Sequence, residues 1–218
     1  MTLGNRQKQT KSRKALALQC AKRGWSVAPL HTASDGHCSC RKGSSCAHAG
    51  KHPRTQNGFR DATTDRPQIK EWWSESPEAN IGIATGAVSG IFVVDIDGKA
   101  GKRTLHDLES RYGELPPTVT VKTGRGRHFY FRLNGGQIRN SAGRLGKGID
   151  VRGDGGYVVG AGSVHRSGVK YRPLLYRNTS GRMPFHTRPK RCDRTSLVFV
   201  WRGKKPSPAG TETRSTGT

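Results

Sequence analysis

The run "IFVVDID" carries the sharpest chemistry in the chain: four apolar residues lead into Asp95-Ile96-Asp97. On a strand, residues i and i+2 point to the same side, so Asp95 and Asp97 present two carboxylates side by side while Ile96 turns into the core. Carboxylates that close repel each other and raise one pKa unless a cation neutralises them. A hard divalent ion with oxygen ligands, Mg²⁺ or Mn²⁺, is the natural cation. Two such ions can clamp the attacking and leaving oxygens of a phosphoryl displacement. The plainer reading of D-x-D is a strand end entering a turn.

Two further segments supply groups for the same chemistry. "KTGRGRHFYF" places Lys122, Arg125 and Arg127 around two glycines. Glycines let backbone N–H groups approach phosphate, and the cations add charge-assisted hydrogen bonds. His128 opens the returning strand. Alternation puts His128, Tyr130 and Arg132 on one side and Phe129 and Phe131 on the other, with the phenylalanines toward the core. His128 can then meet an anion beside the carboxylates; a basic turn with a half-buried histidine is the alternative. In "GIDVRGDGG", Asp150 sits between Ile149 and Val151, and a carboxylate so flanked needs a partner or a metal. Asp154, beside two glycines, reads as a turn residue. Neither a G-x-G-x-x-G fingerprint nor a P-loop spacing is met, in "GKAGKRT" or elsewhere.

"HCSCRKGSSCAHAGKH" offers a separate, softer ligand set: Cys38, Cys40, Cys46 and His52 in the spacing C-x-C-x5-C-x5-H. Three thiolates and one imidazole suit a closed structural Zn²⁺ site, with His31, His37 and His48 competing for the fourth position. A loop with free thiols is the alternative. Bound zinc would replace a hydrophobic core for this segment, leaving Arg41, Lys42 and Lys51 exposed and able to touch phosphates. Cys20 reads as a core residue and Cys192 as unpaired.

The elements that must position these groups are legible from punctuation and period. Ser12 can cap a helix over 12–23 that Gly24 stops, and 25–30 alternates as a strand. Asp65, Pro67 and Gln68 form the start of a second helix, with Ile69, Trp72 and Trp73 apolar and Pro77 ending it. Adjacent helix residues point about 100° apart, so one tryptophan belongs in the core and one at its rim. "NIGIATG" and "GIFVVDID" read as strands, and 103–112 as a third helix with Leu105, Leu108 and Tyr112 on one face. "TVTVKTGRGRHFYFRL" reads as a hairpin, and "GIDVRG" and "GYVVG" as two further strands. This interspersion predicts an α+β domain with a mixed or antiparallel sheet and flanking helices.

Bulk properties fit a partner of opposite charge. The 218 residues carry a formal charge of +24, and only 32% are hydrophobic. A balance this basic favours nucleic acid or an anionic surface, unless it serves solubility alone. No apolar run of 18 residues and no apolar signal core are present, which predicts a cytoplasmic protein with reduced thiols and no membrane segment. Residues 1–13 read as a disordered basic start, 14–176 as the domain, with 31–60 its Cys/His-rich segment, and 177–218 as a basic, poorly ordered tail.

The order apolar strand–D-x-D, Gly-rich basic turn ending in His–aromatic, then apolar–Asp resembles the archaeo-eukaryotic primase superfamily. The closer likeness is to the bifunctional DNA primase/polymerase N-terminal domain of plasmids, phages and mobile elements. "ALALQCAKRGWSVAPLH", "GKHPRTQNGFRDATTD", "IKEWWSESPEANIGIATG", "GIFVVDIDG", "LPPTVTVKTGRGRHFYF" and "GIDVRGDGGYVVGAGSVHRSGVKYR" resemble it in that order, over roughly 14–172. The resemblance implies a primase-polymerase core with an RRM-like palm and a small zinc-binding insertion. It implies that Asp95, Asp97 and Asp150 are catalytic metal ligands and that His128 contacts the incoming triphosphate, with Lys122, Arg125 and Arg127 as helpers by charge. The implied reaction is template-directed attack of a 3′-hydroxyl on the α-phosphate of a nucleoside triphosphate, on single-stranded DNA. Beyond about Tyr176 the sequence departs from the family's usual continuation, and the helicase P-loop often fused to such domains is not met, so a separate replicative helicase is an expected partner. A binding module without catalysis and a metal-dependent nuclease are the competing functions.

Overall fold

The computed structural model describes residues 11–174. The tail, with Cys192 and the apolar run at 196–201, lies outside the described residues, as do residues 1–10. The elements in chain order are α1 (Arg13–Lys22), β1 (Val27–Leu30), β2 (Ala33–Ser34), β3 (His37–Cys38), α2 (Arg66–Glu75), β4 (Asn80–Ala84), β5 (Ile91–Ile96) and α3 (Gly98–Tyr112). They continue with β6 (Val119–Lys122), β7 (Arg127–Arg132), β8 (Ser141–Ala142), β9 (Ile149–Arg152), β10 (Tyr157–Val159) and β11 (Arg172–Leu174).

The helix starts follow their caps. Ser12 Oγ accepts from Ala15 N–H at 3.2 Å, and Asp65 Oδ2 accepts from Gln68 N–H at 3.0 Å. Only half of the expected capping box forms at α2, because the Gln68 amide donates to Glu71 and Asp65 N–H donates to Thr63. Trp73 is buried and donates its indole N–H to Ala79 O, while Trp72 sits at the rim. The third helix departs from expectation: it begins five residues earlier than 103, directly after Asp97. "GKAGKR" therefore belongs to the start of the helix, and Tyr112 is exposed while Leu105 and Leu108 pack inward.

The fold is α+β, and every strand pairing is antiparallel. The main sheet has six strands in the order β11-β6-β7-β5-β9-β8, and a second has three in the order β1-β4-β10. The expected hairpin is β6–β7. Strand β5 lies inside the main sheet and is covered on both faces, which explains its nearly unbroken apolar run. Ile91 and Val93 join Val121, Tyr130, the small sheet and helices α1 and α2 in one core. Phe92, Val94 and Ile96 join Phe131, Ile149, Val151 and the inner side of α3 in a second. The phenylalanines face a core as expected, and Tyr130, on the His128 side, is as buried as Phe131 because the small sheet covers that face too. No helix among the described residues is long and apolar enough to cross a membrane.

One buried polar side chain ties the loops to the small sheet. Asn80 is fully buried. Its Nδ2 donates to Gly50 O at 2.9 Å and to Val164 O at 2.8 Å, and its Oδ1 accepts from Val164 N–H at 2.9 Å. Removing it leaves three backbone groups without partners. Asn80→Ala is expected to cost roughly 3 kcal/mol of stability, read as a lowered urea midpoint with unchanged slope.

Candidate active site

The strand register builds the site. Across the main sheet His128 on β7 stands opposite Asp95 on β5, and Asp95 stands opposite Asp150 on β9. Directly opposed residues of an antiparallel sheet share a face with Cβ atoms about 5 Å apart. One rank therefore holds an imidazole and two carboxylates from three segments distant in sequence. Asp97 lies one step further along the same line, in extended conformation. It is the N-cap of α3, yet its carboxylate makes no cap hydrogen bond to the helix. It takes the Arg125 guanidinium instead, with Nε 3.1 Å from Oδ1 and Nη2 2.5 Å from Oδ2. Asp150 Oδ2 accepts from Arg152 at 2.8 Å and Oδ1 from Gly143 N–H at 3.1 Å.

Two close backbone approaches fix these groups. A Cβ on Gly126 would lie 1.6 Å from Ile96 O, so only glycine lets the hairpin turn press on the end of β5. Gly148 has φ +79°, and a Cβ there would lie 2.5 Å from Gly101 N and 2.8 Å from Asp97 O. This contact seats the start of α3 against β9, and Asp97 N–H donates to Gly148 O at 2.8 Å.

The core ends and a cavity of about 390 Å³ begins at this rank. Asp95 and His128 line it, with Arg152, Asn140, Tyr157 and Tyr171, and with His48 and Lys51 from the Cys/His segment. Burial pushes the Asp95 carboxyl up to about 6, opposed by Arg152 and reinforced by Asp97 and Asp150. Burial also drives His128 down to about 3, with Lys51 and Arg152 adding to the effect. The imidazole is consequently neutral at physiological pH, and its Nε2 lies 3.5 Å from Asp95 Oδ1.

Of the residues singled out in the sequence, Asp95, Asp97, Asp150, His128 and Arg125 come together. Lys122 and Arg127 do not: they pair with each other, and Arg127 stands opposite Ile96, on the sheet face that α3 covers. Strand alternation sets them apart from His128. Arg152, Asn140, Tyr157 and Tyr171 were missed. Arg152 could have been found, since it shares the i, i+2 face with Asp150. Tyr157 stacks on Phe59 at 3.9 Å between centroids, a contact no local pattern announces. Asp154 acts as expected of a turn residue, accepting from Ala87 N–H and Ile138 N–H.

The second ligand set forms as a compact group. The ligand atoms of Cys38, Cys40, Cys46 and His52 lie within 4.8 Å of one another. His52 Nε2 is 3.4 Å from Cys38 Sγ and 3.5 Å from Cys46 Sγ. His31 packs against the His52 ring, with centroids 4.4 Å apart and the planes tilted by 31°, and it is His52 whose Nε2 meets the thiols. This donor set can hold zinc. Among the described residues, the carboxylates of Asp95, Asp97 and Asp150 are not gathered that tightly. Cys20 packs against the first core, with its thiol pushed up to about 12 by burial.

Residues 17–214 match the model of the family described as bifunctional DNA primase/polymerase, N-terminal (Prim-Pol). The chain belongs to this family. The match takes in the whole rank of Asp95, His128 and Asp150, and runs past 176 to residue 214. No curated protein matches the chain. Membership in the Prim-Pol family assigns the chain to primase/polymerase-type nucleotidyl transfer, with a DNA template and nucleotides as the implied substrates.

The metal content of the Prim-Pol chain tests the thiol group. Elemental analysis of the purified protein is expected to find one zinc per chain. Cys38→Ser or Cys46→Ser should abolish it and lower the melting temperature. A metal-free wild type with reduced thiols and unchanged stability would count against the site.

Proposed function

We propose that this chain catalyses template-directed nucleotidyl transfer as a DNA primase, DNA polymerase or both, at Asp95, Asp97, Asp150 and His128. The observation that carries the reading is the single rank of His128, Asp95 and Asp150, of which His128 and Asp95 line a cavity together with Arg152 and Lys51. The donor set fits hard divalent ions: Asp95 and Asp150 face each other across two strands, Asp97 follows just past the end of β5, and the most buried of the three, Asp95, is held back from ionising by its burial. Asp95, Asp97 and Asp150 would hold Mg²⁺ or Mn²⁺, which would neutralise the charge developing on the phosphoryl group.

The chain's own groups do the rest. Arg125 and Arg152 are the counter-charges of Asp97 and Asp150 in the protein alone, and both side chains reach solvent. They stand where a triphosphate would need cations. His128 is held neutral and serves as a hydrogen-bond partner for a phosphate oxygen without adding charge. Tyr157, braced by Phe59, closes the cavity wall and excludes water from the reacting atoms. The reaction is attack of a primer 3′-hydroxyl, or of a second nucleotide during initiation, on the α-phosphate of a nucleoside triphosphate. The α-phosphate–oxygen bond to the leaving group breaks, and pyrophosphate departs. Single-stranded DNA is the template.

Incorporation of labelled nucleotide on single-stranded DNA, with and without a primer, checks this reading in Mg²⁺ or Mn²⁺. Asp95→Ala, Asp97→Ala and Asp150→Ala should each lower the rate by at least about 100-fold, the scale of losing a group that stabilises transition-state charge. His128→Ala should raise KM for the nucleotide more than it lowers kcat. Activity retained in both Asp95→Ala and Asp97→Ala defeats the assignment. Degradation of DNA without added nucleotides would favour a nuclease, and oligonucleotide binding with neither activity would favour a binding module.

A further inference from the structure

The reaction at the carboxylates leaves one cation of the cavity unexplained. Lys51 comes from the loop between Cys46 and His52, two members of the thiol/imidazole group, and that loop also sends His48 into the cavity wall. The backbone around Lys51 is fastened on both sides. Gly50 O accepts from the buried Asn80 amide, and His31 N–H donates to His52 O at 2.9 Å. Arg54 N–H then donates to Pro29 O at 2.9 Å, beside the bridge between Leu30 and Pro53. Between these anchors the Lys51 side chain is exposed, and among the described residues no ion pair engages it. It lines the same cavity as Asp95, His128 and Arg152.

A rigidly based ammonium without a carboxylate partner, facing a concave site, is matched by an anionic ligand. The cavity is of a size for one small molecule and not for a duplex. Arg41 and Lys42, on the same segment, do not line it. We propose that Lys51 is a phosphate-binding residue for the incoming nucleoside triphosphate, carried into place by the metal-binding loop between Cys46 and His52. Lys51 therefore serves the nucleotide and not the template or primer strand. The thiol/imidazole group is then the foundation of one wall of the nucleotide site. This inference rests on the nucleotidyl-transfer reading of the cavity.

Calorimetric titration of the full chain with a non-hydrolysable α,β-imido deoxynucleoside triphosphate in Mg²⁺ tests it. Lys51→Ala should weaken nucleotide binding roughly 10-fold, the loss of one charge-assisted contact. Lys51→Arg should keep most of the affinity, and Lys70→Ala, on an exposed face of α2, should change nothing. Affinity for a single-stranded oligonucleotide should be the same in Lys51→Ala and wild type. Cys46→Ser should lose nucleotide affinity as Lys51→Ala does, and Lys51→Ala should add no further loss in that background. If Cys46→Ser does not fold by circular dichroism, the Lys51→Ala and Lys51→Arg pair decides. Undiminished nucleotide binding in Lys51→Ala, or an equal loss of oligonucleotide binding, overturns the role of Lys51 and leaves the carboxylate assignment standing. Undiminished binding in folded Cys46→Ser removes the metal loop from the proposal. A wild type that binds no nucleotide overturns the cavity reading itself.

Discussion

The structure turns on one electrostatic constraint: carboxylates stand side by side where an apolar core gives out. Asp95 shares its sheet face with Ile91 and Val93, so its carboxyl is pulled from water by the same packing that stabilises the fold. Asp150 is its direct neighbour across the ladder, and Asp97 follows two residues on. Packed acids of one sign must be compensated by protonation, by arginine or by a cation. In the protein alone Arg125 and Arg152 supply that charge, and Asp95 is left reluctant to ionise. A site so balanced has room for added positive charge at its carboxylates.

The surrounding architecture serves that balance. Covering β5 on both faces makes its strand rigid and its register definite, since a slip by one residue would send Asp95 into the second core. The small sheet closes over the His128 side and supplies β10 as a wall. Glycines at 126 and 148 let the hairpin and the first turn of α3 converge on the end of β5. Asn80 holds the Cys/His segment and the loop at Val164 to the same small sheet. Strands supply Asp95, His128, Arg152 and Tyr157 to the cavity, and the loop that adds His48 and Lys51 is tied to the small sheet through the hydrogen bond from Asn80 to Gly50.

The Cys/His segment deserves a place in the same scheme. It contains little apolar surface beyond Ala33, Ala49 and the cysteines themselves. A short segment of this kind has little core to hold a fixed shape, and a metal held by Cys38, Cys40, Cys46 and His52 would provide the missing cross-links. Its last turn supplies His48 and Lys51 to the cavity, so its order and the shape of the cavity are linked.

Several features of this protein were determined by the sequence alone. The capped helices, the β6–β7 hairpin, the D-x-D at the end of a buried strand and the thiol/imidazole group all follow from local spacing, because caps, turns and alternation are short-range physics. The apolar run of β5 also announced burial on two sides. Tertiary structure alone decided which charged residues share a face. Register across β7, β5 and β9 joins His128 to Asp95 and Asp150, and the same register turns Lys122 and Arg127 away. The start of α3 at Asp97, the choice of His52 over His31, and the arrival of Lys51 and Tyr157 at the cavity depend on contacts between segments distant along the chain. Spacing along a chain fixes the direction of a side chain relative to its neighbours, but only packing between sheets fixes what that side chain meets.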